Sequence, residues 1–199
     1  MTEATPPRDP AATRARILDA AERLFAERGF DATPTSAIAS AAGVPKGLLF
    51  YYFPTKTELL RVLVAERMSL GPVDTNALAE PGDPVQSLLN VTAKIREVED
   101  GSHVIGVIVS REQHTHPEVL SALLEHRERL EALIEKVLKA SSPSRLASAR
   151  LRSAAHSWLG ILALGTGRAT ETARSELRTL ADFVCSALVQ NKPALGEAT

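Results

Sequence analysis

Apolar residues recur at three- and four-residue intervals along most of the chain, and the breaks between these runs fall at proline and glycine. That period belongs to helices with one buried face, because a helix completes a turn in about 3.6 residues. The first predicted helix starts near Asp9–Pro10 or Thr13 and runs to Arg28. Ile17, Leu18, Ala21, Leu24 and Phe25 form its stripe and Gly29 ends it. Thr33 is then a predicted N-cap and Pro34 the first residue of a short helix that buries Ile38, Ala39 and Ala42 and stops at Gly43. Val44 turns the corner and Pro45 opens a third helix, Lys46 to Phe53. Leu49 and Phe53 share its inward face, while Gly47, Leu48 and Tyr51 look outward. Thr55 and Glu58 have capping-box spacing and start a fourth helix through Leu59, Leu60, Leu63, Val64 and Met68.

Gly71 to Pro84 is rich in helix breakers and reads as a connection between an N-terminal head and a larger body. Val85, Leu88, Leu89, Thr92 and Ile95 mark the next helix, which ends near Asp100–Gly101. The run VIGVIV within His103–Gln113 has strand-like composition, but no second strand is available to satisfy its backbone, so a buried helix is predicted. Pro117 opens a long helix to about Ala140, with Val119, Leu120, Leu123, Leu124, Leu130, Leu133, Ile134, Val137 and Leu138 inward. Ser141 to Ser144 reads as a loop. The helix from Arg145 to about Arg168 is apolar on nearly every side between Trp158 and Leu164. The last, Arg174 to Gln190, widens a stripe of Leu177, Leu180, Ala181, Val184 and Leu188 with Phe183 and Cys185.

The predicted fold is all-α, with a flexible tail (1–12), a helix-turn-helix head (13–55) and a helical body (56–199). A body of this size cannot wrap its last two helices completely. The expected resolution is a homodimer across a two-fold axis through Trp158, Leu162, Leu177, Leu180, Val184 and Leu188, with Gly160, Gly165 and Gly167 allowing close approach.

Charge narrows the use of the head. The 199-residue chain has a formal net charge of −1, and its first 60 residues hold equal numbers of basic and acidic side chains, which argues against a non-specific nucleic-acid coat. Locally the balance changes: Ala32 to Thr57 contains Lys46, Lys56 and no acid, with Arg8, Arg14 and Arg16 upstream. An acid-free outward face on a short helix after a glycine turn suits a DNA groove. Lys56, in the first turn of its helix, adds a full charge where helix amides already favour a phosphate. A single cysteine, no apolar leader and no apolar run near the roughly 20 residues of a membrane span predict a cytoplasmic protein without a membrane partner.

Arg16 to Leu60, through ILDAAERLFAERGFDAT, the turn AAGVPKGLLFYYF and the following PTKTELL, resembles the DNA-binding domain of the TetR family of bacterial transcriptional regulators. The resemblance implies phosphate contacts from Thr35, Ser36, Phe50, Tyr52 and Lys56, and groove contacts from Lys46, Gly47, Leu48 and Tyr51. Two positions depart from the family pattern. Phe50 stands where a tyrosine is usual, losing a hydroxyl worth roughly 1 kcal/mol per hydrogen bond. Pro45 replaces a capping serine. The implied activity is that of a repressor on a palindromic double-stranded operator, released by a small apolar or amphipathic effector bound in the body. The alternative is an architectural or protein-interaction module that keeps the head without a ligand response.

Other constellations add little. His114 and His116 beside Glu112 are two residues apart at a proline break, a poor metal-ligand pattern. No nucleophile elbow, phosphate loop or dinucleotide fingerprint is present, so neither an enzyme nor a cofactor is predicted. Cys185 reads as a small apolar residue. His103, Trp158 and His156 are the candidate ligand-pocket residues.

Overall fold

The computed structural model describes residues 9–101, 103–142, 146–164 and 171–189, apart from the side chains of 103, 164, 171–174 and 189. The expectations placed on Arg8, Gly165 and Gly167, and on the His103 side chain, fall outside what is described. The described residues form helices and no strands: α1 (Pro10–Arg28), α2 (Thr35–Ala41), α3 (Lys46–Tyr52), α4 (Lys56–Arg67), α5 (Thr75–Leu78), α6 (Pro84–Gly101), α7 (His103–Glu112), α8 (Pro117–Ser141), α9 (Ser148–Leu164) and α10 (Glu171–Val189). They divide into two compact units, one of residues 1–69 with 98–126 and one of 70–97 with 127–199.

In the first unit α1 begins as its sequence implies. Asp9 accepts the Ala11 N–H at 2.9 Å and Pro10 occupies the first turn. Gly29, at φ 85°, ends the helix in a conformation that side chains resist. The core gathers Ile17, Leu24 and Phe25 of α1, Ile38 of α2, Leu49 and Phe53 at α3, and Leu59, Leu60, Leu63 and Val64 of α4. Ile105 and Ile108 of α7 and Val119 and Ala122 of α8 close it. Charged clamps fix α4 on α1: Arg14 donates to Glu66 at 2.8 Å, and Arg67 pairs with Glu22 at 2.7 Å and with Asp19. Half-exposed pairs of this kind add little stability, commonly about 0–1 kcal/mol each, but they set the register of the two helices.

Several expectations are corrected here. Thr33 is not the cap of α2. It is fully buried and its hydroxyl donates to the Gly29 carbonyl at 2.7 Å and the Leu24 carbonyl at 3.2 Å, tying the turn to the end of α1. Pro34 takes the N-cap position instead, with no side-chain hydrogen bond to the helix. The capping box at α4 is half formed. Thr55 accepts the Glu58 N–H at 3.0 Å, whereas the Glu58 carboxylate turns forward to Arg61 at 2.8 Å. α7 is a helix, but one side of it is open: Ile105 and Ile108 are buried, while Val104 and Val107 are 41% and 38% exposed. Leu120 and Leu124, assigned inward, are 49% and 54% exposed, because α8 meets this core through Val119 and Ala122 on its other side.

The second unit packs α6, the later part of α8, α9 and α10 around Leu88, Val91, Ile134, Val137, Leu138, Trp158, Ala181 and Val184. The glycine- and proline-rich connection is not wholly irregular. Asp74 accepts the Asn76 N–H at 2.9 Å and caps the single turn of α5. Arg152, Ser153, His156 and Ser157 form an exposed face early in α9, whereas in its apolar stretch Trp158 and Leu159 are buried, Gly160, Ile161 and Leu162 half-buried and Ala163 exposed. Among the described residues no helix is long and apolar enough to cross a membrane.

Candidate nucleic-acid interface

The corner between α2 and α3 is built by backbone geometry. Ala42 ends α2, Gly43 adopts φ 64°, and two bonds close the turn: Gly43 N–H to the Ser40 carbonyl at 3.1 Å and Val44 N–H to the Ala39 carbonyl at 3.0 Å. This is the Schellman arrangement, in which a left-handed residue after the helix satisfies its last carbonyls. Val44 packs on the core beneath. Pro45 then starts α3 in extended geometry, so the chain changes direction within four residues and α3 leaves with Leu49 wholly buried.

That one anchored position orients the rest. Lys46 and Gly47 are exposed, Leu48 is half-buried, Phe50 is 37% exposed and Tyr51 is 79% exposed. Lys46 Nζ lies 5.8 Å from the centre of the Phe50 ring, which brings its charge back over α3. Tyr51 stands edge-on to Tyr52 at 5.4 Å, and Tyr52 rests partly against the core. On α2, Ser36 is exposed and Thr35 half-buried. Lys56, on the first turn of α4, is half-buried. Its Nζ sits 4.3 Å over the Phe30 ring and donates to the Asp31 carbonyl at 3.4 Å. Burial pulls its pKa below the usual lysine value, and the carboxylates of Asp31 and Glu112 oppose that shift. Thr35, Ser36, Lys46, Gly47, Leu48, Phe50, Tyr51, Tyr52 and Lys56 thus all lie within the first unit. Of the upstream arginines, Arg14 is committed to Glu66 and the Phe53 ring, whereas Arg16 is exposed beside the turn, its guanidinium 3.8 Å from where a Gly43 side chain would begin. Proximity of Arg16 to the turn could not be read from a 27-residue separation, though the helical period does put it on a different face from Ile17.

Of the residues proposed for a ligand pocket, the His103 side chain is not described, and the other two face different ways. Trp158 is fully buried and its indole N–H donates to Thr92 Oγ1 at 3.0 Å, while that hydroxyl donates onward to the Leu88 carbonyl at 2.8 Å. The indole is thus satisfied and packed within the core of the second unit. His156 is exposed and its Nδ1 lies 3.0 Å from Glu131 Oε1. Two residues along a helix are about 200° apart around its axis, so the two rings point to opposite sides. Of the remaining interface candidates Val184 and Leu188 are buried within the unit, Leu162 and Leu177 are partly buried, and Leu180 is 40% exposed. Phe183, outside the predicted set, is 73% exposed and lines an open groove with Ala149, Ser153, Ser157 and Ile161 of α9. Cys185 lies inside. Burial, reinforced by the carboxylates of Asp182 and Asp83, pushes its thiol up to about 12. The thiolate is the reactive form, so Cys185 is expected to resist iodoacetamide in the native protein at neutral pH and to react promptly in denaturant, as mass spectrometry would show.

Among the described residues, an all-helical fold with a glycine-turned pair of short helices, the second anchored by a buried leucine with Lys46, Gly47, Phe50 and Tyr51 exposed, defines a helix-turn-helix protein. The family model described as "Bacterial regulatory proteins, tetR family" matches residues 17–63, the span from the middle of α1 into α4. Over that span the chain resembles this family. It is 33% identical over 87 residues to the HTH-type transcriptional regulator AcrR of Shigella flexneri, a match covering 43% of this chain and 40% of that protein. It is 44% identical over 52 residues to the regulator TtgR of Pseudomonas putida, covering 26% of this chain and 25% of the relative. The matches thus span less than half the length of these curated relatives. Over the whole fold, it resembles the solved structure of Salmonella enterica GusR, with a TM-score of 0.56, 24% identity and coverage of 94% and 99% of the two chains. The TetR-family regulator PfmR of Thermus thermophilus gives a TM-score of 0.55 at 21% identity, covering 90% and 97%. At these identities the structural likeness speaks to the fold.

Proposed function

We propose that this protein is a non-enzymatic, sequence-specific DNA-binding regulator of transcription, acting as a homodimer on a palindromic operator as a repressor released by a small apolar or amphipathic ligand. Residues 13–55 serve as the DNA-binding head and 56–199 as the ligand-binding and dimerising body. The observation that carries the reading is α3 itself: a Schellman turn and a buried Leu49 hold Lys46, Gly47, Leu48 and Tyr51 outward on a surface free of acidic side chains. Relatives named as HTH-type transcriptional regulators, and the family model matching residues 17–63, support it.

In this mechanism Thr35, Ser36, Tyr52 and Lys56 position the head on phosphates, while α3 reads bases. Lys46 suits the acceptor edge of guanine and Leu48 a thymine methyl. With few side chains capable of paired hydrogen bonds, much of the discrimination falls to DNA shape. Two heads on a two-fold axis reach half-sites about 34–36 Å apart or a multiple of that. An effector acts only by binding one arrangement of the heads better than the other.

Selection of duplexes from a randomised pool tests the reading. Wild-type protein is expected to enrich an inverted repeat, and Lys46→Ala is expected to relax the preference at one position per half-site, a loss of about 1–3 kcal/mol of discrimination. Unchanged base preference would refute the role given to Lys46. Loss of all operator preference at physiological salt would favour the architectural reading, for which the missing hydroxyl of Phe50 speaks.

A further inference from the structure

Glu112, the last residue of α7, is only 5% exposed, and a carboxylate so placed needs partners close by. Its Oε1 accepts the backbone N–H of Phe30 at 3.0 Å, across a separation of 82 residues. Its Oε2 lies 3.3 Å from Nε2 of His116, whose ring meets the Phe30 ring edge-on at 4.4 Å. Beside it, Arg111 reaches the Phe25 and Ala26 carbonyls at the end of α1, 3.4 Å from each. The fit is close around Gly29, where a side chain would begin 3.6 Å from Arg111 and 3.8 Å from Glu112. The end of α7 is thus fastened to the turn that leads into the helix-turn-helix. Within that turn, Phe30 supplies the ring on which the Lys56 ammonium rests, 4.3 Å from its centre.

We propose that Glu112 is a positioning residue for Lys56: by holding the Phe30 amide it keeps the aromatic seat that presents the lysine to a DNA phosphate. This rests on the DNA-binding reading above. Nothing in α7 itself calls for a carboxylate at this position, and an apolar side chain there leaves the Phe30 N–H without its acceptor. The turn then finds a new partner by moving, and the ring moves with it. Because α7 belongs to the first unit yet lies far along the chain from the head, this contact is also a route by which the setting of α7 governs a phosphate contact without altering α3.

The test compares Glu112→Ala, Glu112→Asp and Glu112→Gln in the full chain. Gln keeps an acceptor at the same reach and loses the charge, whereas Asp keeps the charge and is one methylene too short. In the NMR spectrum of the free protein, the ε-methylene protons of Lys56 are expected to show the upfield ring-current shift of a cation over an aromatic face. That shift survives in Gln and is lost in Ala and Asp. On a duplex selected from a randomised pool by the wild type, Ala and Asp lower affinity about tenfold, as Lys56→Ala does, and reduce the dependence of log affinity on log salt by about one per chain. The double variant with Lys56→Ala is no weaker than Lys56→Ala alone. Should Glu112→Ala not fold, the Asp and Gln pair carries the comparison. A Lys56 shift that persists in Asp, a Gln variant that fails to restore it, or effects that add in the double variant would each overturn the proposal. A wild type that selects no duplex would remove the DNA reading, while the Lys56 resonance would still decide whether Glu112 seats the lysine.

Discussion

Trp158→Ala is expected to destabilise the second unit by about 3–5 kcal/mol, the range for deleting a fully buried large aromatic side chain. The ring is wholly buried in the core cluster that also holds Leu88, Val91, Ile134 and Val137, so the lost contacts and the residual cavity both count. The indole also donates to Thr92 Oγ1, and that acceptor loses its partner when the ring goes. Trp158→Phe separates the two contributions. It retains most of the apolar volume and forfeits the hydrogen bond, for an expected loss of about 1–2 kcal/mol. Thr92→Val in the Phe background then recovers part of it, since neither partner is left alone. Urea unfolding followed by circular dichroism is the measurement, because this is the only tryptophan and its fluorescence vanishes with it. A loss below about 1 kcal/mol for Ala would mean that the ring is not the centre of this core.

Trp158 also shows where the sequence stops being informative. Helical period and punctuation depend on neighbours, so α1, the Gly43 corner, the burial of Leu49 and Phe53, and the lengths of α6, α8 and α10 could all be read from spacing. What failed depends on competing partners that spacing does not rank, some near in the chain and some distant. Trp158 reads from the sequence as a pocket or interface residue, and spacing gives no sign of its buried hydrogen bond to Thr92, 66 residues away. Thr33 fits a cap by residue type, but two carbonyls at the end of α1 compete for its hydroxyl and win. Glu58 had the spacing to close a capping box, yet the nearby Arg61 offers a charged donor pair that a single amide cannot match. Leu120 and Leu124 extended a plausible stripe, but Val119 and Ala122 face the core that α8 meets. For the candidate site, the outward set on α3 was legible from one helical wheel. The surroundings of Lys56 were not, because Phe30 and Asp31 on one side and Glu112 on the other come from two distant places in the chain.

Phe183→Glu is expected to turn the protein into a folded monomer with operator affinity reduced a hundredfold or more. The case starts from α10, whose Leu177, Ala181, Val184, Cys185 and Leu188 are committed to the second unit's own core. What is left over is a second stripe, Leu180, Phe183 and Ala187, at three- and four-residue spacing on the outward side, with Leu180 40% and Phe183 73% exposed. Beside it α9 offers Ala149, Ser153 and Ser157 at four-residue intervals, small side chains that let another helix approach closely. A homodimer buries each of these positions twice, so one substitution removes about 1.5–3 kcal/mol of apolar burial at each of two sites and sets two carboxylates near the axis. Because Phe183 is exposed in the protomer, the variant should melt like the wild type when both are compared as monomers. Light scattering on size-exclusion eluate reads the mass, and a mobility shift on the selected duplex reads the affinity. A monomer must place each head separately and loses the gain of linked half-sites. If the variant remains dimeric, the pairing surface lies elsewhere, and the exposed Leu120 and Leu124 of α8 become the next positions to change.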